Sequence, residues 1–332
     1  MEVFESISGF ILCSAAIVYA GIKLSVYGDR IAELTGLGKA WIGLIMMASI
    51  TSLPELITGI SSVAIVNAPD LAAGDVFGSC VFNLFILSIL DVLLKKPITS
   101  LVRSTHVFAG ACGIILITLS GLAILLSADL PVIGWISIMT PVIFIVYFLA
   151  IWLIFKFENK NNQKAREEEF VKKDSAGLQK TIMHYAFNAF IVVAAAMFLP
   201  YFGKFLAEQS GMGNTFFGTL FLAISTSLPE LVVCISAIRI GSVDMAVGNL
   251  FGSNIFNIFI LGIDDLFYRG GSLFAKIHPE NLISILFVII MTAVAAIGLL
   301  FKAERKRFIL AADSFIILLL YAGLMTLLFI LK

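Results

Sequence analysis

Charged residues and histidine are scarce in this 332-residue chain. Only 13% of its residues are Asp, Glu, Lys or Arg, and three are His, whereas soluble domains carry about 25% charged residues. Hydrophobic residues make up 60% of the sequence, and the mean hydropathy is +1.05. We therefore predict an integral membrane protein in which most of the chain spans the bilayer. The formal net charge of +0 gives no basic signal for a nucleic-acid partner.

Cysteine motifs and paired histidines are also missing. The four cysteines are Cys13, Cys80, Cys112 and Cys234. They lie in apolar stretches without close Cys or His spacing, so we expect structural thiols rather than disulfides or a zinc site. His106, His184 and His278 pair with no nucleophile or metal motif, which argues against an intramembrane hydrolase; we expect no enzyme and no cofactor. Residues 1–5 lack the basic start of a cleaved signal peptide, so we expect the first span to stay in the mature protein.

Ten apolar runs are long enough to cross a membrane. They are 7–26, 40–66, 71–94, 105–127, 131–156, 181–207, 215–239, 244–268, 279–301 and 309–331. The runs are too long for strands and do not alternate, and lipid requires every backbone group to be paired within the protein. We predict an all-α fold of ten transmembrane helices.

The basic residues are distributed unequally between the two sides of these spans. If the spans alternate, 18 of the 22 Lys and Arg residues lie on one side, which includes the central loop, and 4 lie on the other with the N-terminus. The positive-inside rule places the basic side in the cytoplasm. We predict a multi-pass protein of a prokaryotic plasma membrane with both termini outside.

The hexapeptide T-S-L-P-E-L occurs twice, at 51–56 and 226–231. Glu55 and Glu230 are 175 positions apart, and the second motif described below repeats at 174. Five spans precede the polar central segment and five follow it, so the second half enters the membrane from the opposite side. Inverted repeats of this kind place the site of a secondary transporter where the repeats meet. We predict a five-helix repeat at 1–156, a cytoplasmic linker at 157–180 and an inverted five-helix repeat at 181–332.

Each hexapeptide places a carboxylate inside an apolar span, which is costly and by default marks a functional site. In a helix, Thr51, Ser52 and Glu55 share one face, and Pro54 leaves the carbonyl of Ile50 without its usual donor. The second copy supplies the corresponding Thr226, Ser227 and Glu230, with Pro229 freeing Ser225. Hard cations prefer such oxygen ligands. The alternative is a proline kink with a glutamate bonded to a neighbouring helix, which the duplication at one register disfavours.

A second motif, G-[DN]-x-x-G-S-x-x-x-N, follows each hexapeptide at 74–83 and 248–257. Its glycines have small-xxx-small spacing, which permits close approach of two helices. Ser79 and Asn83, like Ser253 and Asn257, share a helix face at i and i+4. These side chains are either polar contacts between helices or ion ligands and their close neighbours; their place beside the glutamate motif favours the second.

Together the two motifs resemble the repeats of the cation/Ca²⁺ antiporter superfamily, most closely the prokaryotic Na⁺/Ca²⁺ exchangers. The resemblance implies four ion sites around the two glutamates and transport by alternating access. The side chains that it implies as ligands are Thr51, Ser52, Glu55, Ser79, Thr226, Ser227, Glu230 and Ser253. It also implies backbone carbonyl ligands from Ala48 and Ala223.

The chain departs from this pattern at three positions. Asn257 stands where such exchangers usually have Asp, Asp75 where they have Asn, and Cys80 replaces the Asn that the second repeat keeps as Asn254. Asp75 is either a replacement charge near the site or a charge favoured by a helix N-terminus; we expect the second. We expect Asn83 and Asn257 to orient the glutamates or a bound water. Three further acidic residues at span ends are expected to face water: Asp91, Asp264 and Asp265.

The sequence thus predicts a monomeric antiporter that exchanges Ca²⁺ for Na⁺. Glu55 and Glu230 carry −2, which matches one Ca²⁺, two Na⁺ or two protons, because burial disfavours the charged form of a carboxylate. An H⁺-coupled exchanger, or one for Mg²⁺, Mn²⁺ or K⁺, keeps the same fold and stays open. A cation channel is disfavoured by the inverted repeats with two proline-broken helices.

Overall fold

The structure is a computed structural model that describes residues 3–35, 48–103, 105–162, 175–239, 241–306 and 309–331. Almost all of these residues are helical. The helices are α1 (Val3–Thr35), α2 (Ala48–Thr51), α3 (Leu53–Ala64), α4 (Pro69–Leu93), α5 (Ile98–Leu101), α6 (Thr105–Leu125), α7 (Met139–Asn162), α8 (Ser175–Ser210), α9 (Asn214–Phe217), α10 (Ala223–Arg239), α11 (Val243–Phe267), α12 (Asn281–Phe301) and α13 (Ala312–Leu331). A π-helical turn (Gly218–Leu222) joins α9 to α10, and a 3-10 turn (Leu273–Ala275) precedes α12.

The all-helical membrane fold is confirmed. Within the described ranges, nine helical stretches are long and apolar enough to cross a membrane. The remaining predicted span, 40–66, contains the broken pair α2 and α3, and its residues 40–47 lie outside the described part of the chain. Within the predicted linker 157–180, α7 continues to Asn162 and α8 begins at Ser175, and residues 163–174 lie outside the described part of the chain. The bounds of the two repeats and of the linker stay a prediction.

The predicted span 131–156 is not helical throughout. Its first residues form a small antiparallel hairpin in which β1 (Val132–Ile133) pairs with β2 (Ile136–Ser137), and α7 begins only at Met139. Pro131 lacks a backbone donor, and Gly134 adopts a φ of +69°, which favours glycine in a tight turn.

Helices α4 and α11 form the centre of the molecule. Both have 25 residues, and 78% and 83% of their most apolar windows are buried inside the protein, against 22% for α1 and α13. Their ends are 174 positions apart, so every residue of α4 has a repeat equivalent in α11. Helices α6 and α12 also match, with 21 residues each.

Asp91 and Asp265 do not face water as expected; both are 0% exposed. Each accepts hydrogen bonds from two backbone N–H groups. Asp91 binds those of Ile98 and Ala311, both at 2.8 Å, and Asp265 binds those of Leu273 at 2.7 Å and Ser137 at 2.8 Å.

These two sets of bonds are repeat equivalents, because each donor in one set matches a donor in the other at an offset of 174 or 175. In each set, one donor is the first residue of the short helical turn after the central helix: Ile98 for Asp91 and Leu273 for Asp265. The other donor lies just before the last span of the opposite repeat: Ala311 for Asp91 and Ser137 for Asp265. The two aspartates thus link the two repeats through these hydrogen bonds. Asp91 also forms a buried ion pair with Lys306, whose Nζ lies 3.1 Å from its Oδ1.

Candidate cation-binding site

The first hexapeptide interrupts a helix, as the sequence predicts. Helix α2 ends at Thr51 and α3 begins at Leu53, with Ser52 between them at φ −87° and ψ 14°. Pro54 stands in the first turn of α3, where its missing N–H is tolerated. The carbonyl of Ala48 accepts hydrogen bonds from the Ser52 N–H at 2.9 Å and from the Thr51 hydroxyl at 3.2 Å. The break therefore lies at Ser52, three residues before Glu55.

The second hexapeptide does not break its helix, although Pro229 corresponds to Pro54. Helix α10 runs from Ala223 to Arg239 with Pro229 inside it. The irregularity is instead the π-helical turn directly before Ala223, a feature common at functional sites. The Thr226 hydroxyl bonds to the carbonyls of Leu222 at 3.1 Å and Ala223 at 3.3 Å. Both predicted carbonyl ligands thus already accept local bonds, although a carbonyl oxygen has two lone pairs.

Glu55 and Glu230 are buried at the contact between the repeats, with 1% and 0% exposure. Each accepts a hydrogen bond from the serine of the other hexapeptide. Ser227 Oγ donates to Glu55 Oε1 at 2.8 Å, and Ser52 Oγ donates to Glu230 Oε1 at 3.3 Å. Ser79 Oγ also donates to Glu55 Oε1, at 3.4 Å, and accepts from Ser227 at 2.9 Å. The structure thus brings together both carboxylates and three of the predicted hydroxyls.

Several buried polar atoms of the predicted site residues have no partner within hydrogen-bonding distance among the described residues. They are Glu55 Oε2, Glu230 Oε2, Ser253 Oγ and both amide atoms of Asn257. Buried polar groups are almost always satisfied, and oxygen atoms of this kind are the ligands that hard cations prefer. The arrangement therefore suits a small cation held between the two carboxylates.

Asn83 has a different contact from the predicted one. Its Nδ2 donates to Asn254 Oδ1 at 3.0 Å, and Asn254 Nδ2 donates to the Cys80 carbonyl at 3.1 Å. These bonds join α4 to α11 rather than orienting a glutamate. Asn254 is not among the predicted site residues. Its position directly after the second Gly-Ser, where the first repeat has Cys80, is the sequence signal that could have identified it.

Asp75 is not a charge at a helix N-terminus. It lies in the second turn of α4, is 0% exposed, and accepts a hydrogen bond from the Thr226 hydroxyl at 3.0 Å. The residue after Thr226 is Ser227, whose hydroxyl donates to Glu55. The structure therefore places a third buried carboxylate next to the second hexapeptide.

The glycines of α4 allow the π-helical turn to lie directly against this site. A Cβ at Gly78 would be 2.5 Å from the Thr219 carbonyl oxygen and 2.6 Å from the Thr219 Cα. One at Gly74 would be 2.9 Å from the Thr215 carbonyl oxygen and 3.0 Å from the Gly218 Cα. Since these neighbours are backbone atoms, only glycine permits the approach that places Ser79 beside Ser227.

Comparison with known proteins identifies the family. The family model described as "Sodium/calcium exchanger protein" matches residues 5–157 and 180–330. The chain belongs to the sodium/calcium exchanger family. It is therefore a transporter of cations and not an enzyme.

Two relatives of this exchanger come from a bacterium and an archaeon. The chain is 27% identical over 275 residues to the inner membrane protein YrbG of Escherichia coli, a match that covers 78% of this chain and 81% of YrbG. It is 28% identical over 269 residues to the sodium/calcium exchanger MaX1 of Methanosarcina acetivorans, covering 72% of this chain and 77% of MaX1.

A solved structure shares the fold. The sodium–calcium exchanger NCX_Mj soaked with 10 mM Na⁺ and zero Ca²⁺ superposes with a TM-score of 0.65 at 21% identity, covering 98% of this chain and 99% of that one. The predicted architecture of ten membrane helices in two repeats is confirmed.

Proposed function

We propose that this exchanger is a secondary antiporter that moves Ca²⁺ against Na⁺ and binds both ions at Glu55 and Glu230. The observation that carries the proposal is the reciprocal contact between the two hexapeptides. Each buried glutamate accepts a bond from a serine of the opposite repeat and keeps one carboxylate oxygen without a partner among the described residues. The relative MaX1, named a sodium/calcium exchanger, supports the choice of ions.

The charge of the site supports exchange between these ions. Two ionised glutamates carry −2, which one Ca²⁺ or two Na⁺ would balance. In the described part of the chain, no ion pair joins a Lys, Arg or His side chain to Glu55 or Glu230. Uncompensated charge is costly at membrane depth, so the bound ions supply the balance. Because both ions need the same carboxylates, binding one excludes the other, which is the basis of coupling.

The proposed ligands extend beyond the glutamates to the hydroxyls of both repeats. They are Thr51, Ser52, Ser79, Thr226, Ser227 and Ser253, with the carbonyls of Ala48 and Ala223. Asn83 supports them by holding α4 against α11, and we assign the same supporting role to its repeat equivalent Asn257. Motion of one repeat against the other about these central helices would give alternating access.

The distribution of basic residues supports a cytoplasmic position for the loops between α4 and α6 and between α12 and α13. Lys95, Lys96, Lys302 and Arg305 line one surface depression of about 970 Å³. Such clusters mark the cytoplasmic face. We propose a monomer in a prokaryotic plasma membrane with both termini outside.

Uptake of ⁴⁵Ca²⁺ into proteoliposomes tests the proposed coupling. Vesicles loaded with Na⁺, K⁺ or acidic buffer are diluted into a common medium, with the membrane potential clamped. An outward Na⁺ gradient should drive accumulation well above that of vesicles without a gradient, and K⁺ and H⁺ gradients should not. Uptake driven only by the H⁺ gradient would replace Na⁺ by H⁺ as the coupling ion, and uptake without any counter-ion would indicate a channel.

A further inference from the structure

Asp264 is a buried carboxylate that the proposed ion site does not use. It was expected to face water, but it is 0% exposed. Neither of its carboxylate oxygens has a hydrogen-bond partner among the described residues. The carboxylate lies over Gly59 of α3, one turn after Glu55, where a Cβ would be 2.5 Å from Oδ2 and 2.7 Å from Oδ1. The absence of a side chain at Gly59 thus makes the space that Asp264 fills.

Asp75 lies near both Asp264 and the glutamate pair. Its Oδ1 accepts a hydrogen bond from Thr226 at 3.0 Å, and the next residue, Ser227, donates to Glu55. Its repeat equivalent Asn249 has its Nδ2 3.6 Å from the Sγ of Cys234, the equivalent of Gly59, so the repeat symmetry places Asp75 beside the part of α3 that Asp264 covers. Asp75 Oδ2 has no hydrogen-bond partner in the described part of the chain. Asp75 and Asp264 therefore lie on the side of Glu55 that leads to the C-terminal end of α11.

The second repeat has no corresponding pair of aspartates. The repeat equivalents of Asp75 and Asp264 are Asn249 and Leu90, and the equivalent of Gly59 is Cys234. Asn249 Nδ2 lies 3.6 Å from Cys234 Sγ, so a neutral contact replaces the carboxylates. The acidic extension thus exists on one side of the central site only and does not follow from the duplication of the chain.

Hydroxyl groups are available on the same stretch of α3. Thr58 and Ser62 are both 0% exposed, and neither hydroxyl oxygen has a partner among the described residues. By helical spacing, Ser62 lies on the face that carries Glu55 and Gly59. Two carboxylates and neighbouring hydroxyls are the chemistry of a hard-cation site.

We propose that Asp75 and Asp264 form a second binding site for Ca²⁺, between Glu55 and the membrane surface at the C-terminal end of α11. The proposal rests on the proposed function in taking Ca²⁺ as the ion. Among the described residues, neither aspartate forms an ion pair with a Lys, Arg or His side chain. The two buried carboxylates therefore need a cation or protons to balance them. Thr226 donates to Asp75 and the next residue, Ser227, donates to Glu55, so the second site adjoins the central one. This adjacency makes the transported ion the occupant and gives the central site an acidic approach from one side. With both termini outside, this side is extracellular.

The purified full-length protein tests the proposal by equilibrium dialysis against ⁴⁵Ca²⁺. The chain itself supplies the substitutions: Asp264→Leu and Asp75→Asn introduce the residues that stand at the equivalent positions of the other repeat. The wild type should bind two Ca²⁺ per chain at saturation, and each variant should bind one. Gly59→Ala, which places a methyl group where the Asp264 carboxylate lies, should also bind one.

A wild type that binds one Ca²⁺, with Asp264→Leu binding one as well, would overturn the second site. Glu55→Gln separates this proposal from the proposed function, since it should remove the central Ca²⁺ and leave the one at Asp264. If Asp264→Leu fails to fold, as judged by gel filtration, the near-isosteric Asp264→Asn gives the same count. Asp264→Leu should also raise the Ca²⁺ concentration for half-maximal uptake only from the side of the α11 C-terminus; equal effects from both sides would contradict the placement.

Discussion

Gly78→Ala tests the packing on which the site depends. The new Cβ would lie 2.5 Å from the Thr219 carbonyl oxygen and 2.6 Å from its Cα, so helix α4 must move away from the π-helical turn. Overpacking of this kind costs about 1–3 kcal/mol, and we expect the upper end because backbone atoms cannot rotate away. Unfolding by SDS titration in mixed micelles, followed by circular dichroism, measures the loss.

Gly113→Ala is the matched control for this substitution. Gly113 is also a buried helical glycine, but the nearest atom to its added Cβ is Ile255 Cγ1 at 3.8 Å, an ordinary contact. Alanine is better than glycine in a helix by up to about 1 kcal/mol, so this variant should be as stable as the wild type or more so. Gly78→Ala should also slow Ca²⁺ uptake, because it moves Ser79 away from Glu55. Equal stability of the two variants would refute the close approach of α4 to the π-helical turn.

Three further predictions address the fold, the orientation and the ligand set. Asp91→Asn leaves Lys306 without its buried partner and should lower the free energy of unfolding by about 3–5 kcal/mol. Asp129→Asn, at an exposed position, should change it little. Equal effects of the two substitutions in SDS titration would refute the role of Asp91. Lys164→Cys, in the segment outside the described residues, should resist an impermeant maleimide in intact cells and react after permeabilisation; ready labelling of intact cells would invert the topology. Asn257→Asp should leave Ca²⁺ uptake near neutral pH largely intact, because repulsion from Glu55 and Glu230 keeps the added acid protonated; an additional Na⁺ per Ca²⁺ in flux-ratio measurements would contradict this.

The sequence predicts the spans and the central pair well because both depend on strong signals. Hydropathy marks long apolar helices directly, and the duplicated hexapeptide marks Glu55 and Glu230 without knowledge of their contacts. The bonds between opposite repeats, Ser227 to Glu55 and Ser52 to Glu230, could not be predicted, since they depend on how the helices cross.

The buried aspartates show where sequence reasoning fails. A charge near the end of an apolar run usually faces water, but here the chain folds back and its backbone N–H groups satisfy Asp91 and Asp265. The offset of 174 between these two residues, the same as between Ser79 and Ser253, was a signal that they have a shared structural role. At the same offset Asp264 corresponds to Leu90. Asp264 therefore has no acidic equivalent and does not share the structural role of Asp91 and Asp265.

Ca²⁺ exchange by Glu55→Gln and Glu230→Gln tests the central claim most directly. Both substitutions keep the shape of the side chain and remove one charge from the site. Glu208→Gln, at an exposed position, is the control for the loss of a carboxylate elsewhere. In proteoliposomes with an outward Na⁺ gradient, each site variant should fold, as judged by gel filtration, and show no ⁴⁵Ca²⁺ uptake above empty vesicles, while Glu208→Gln should transport like the wild type. Uptake at the wild-type rate by either site variant would contradict the assignment of the ions to this pair.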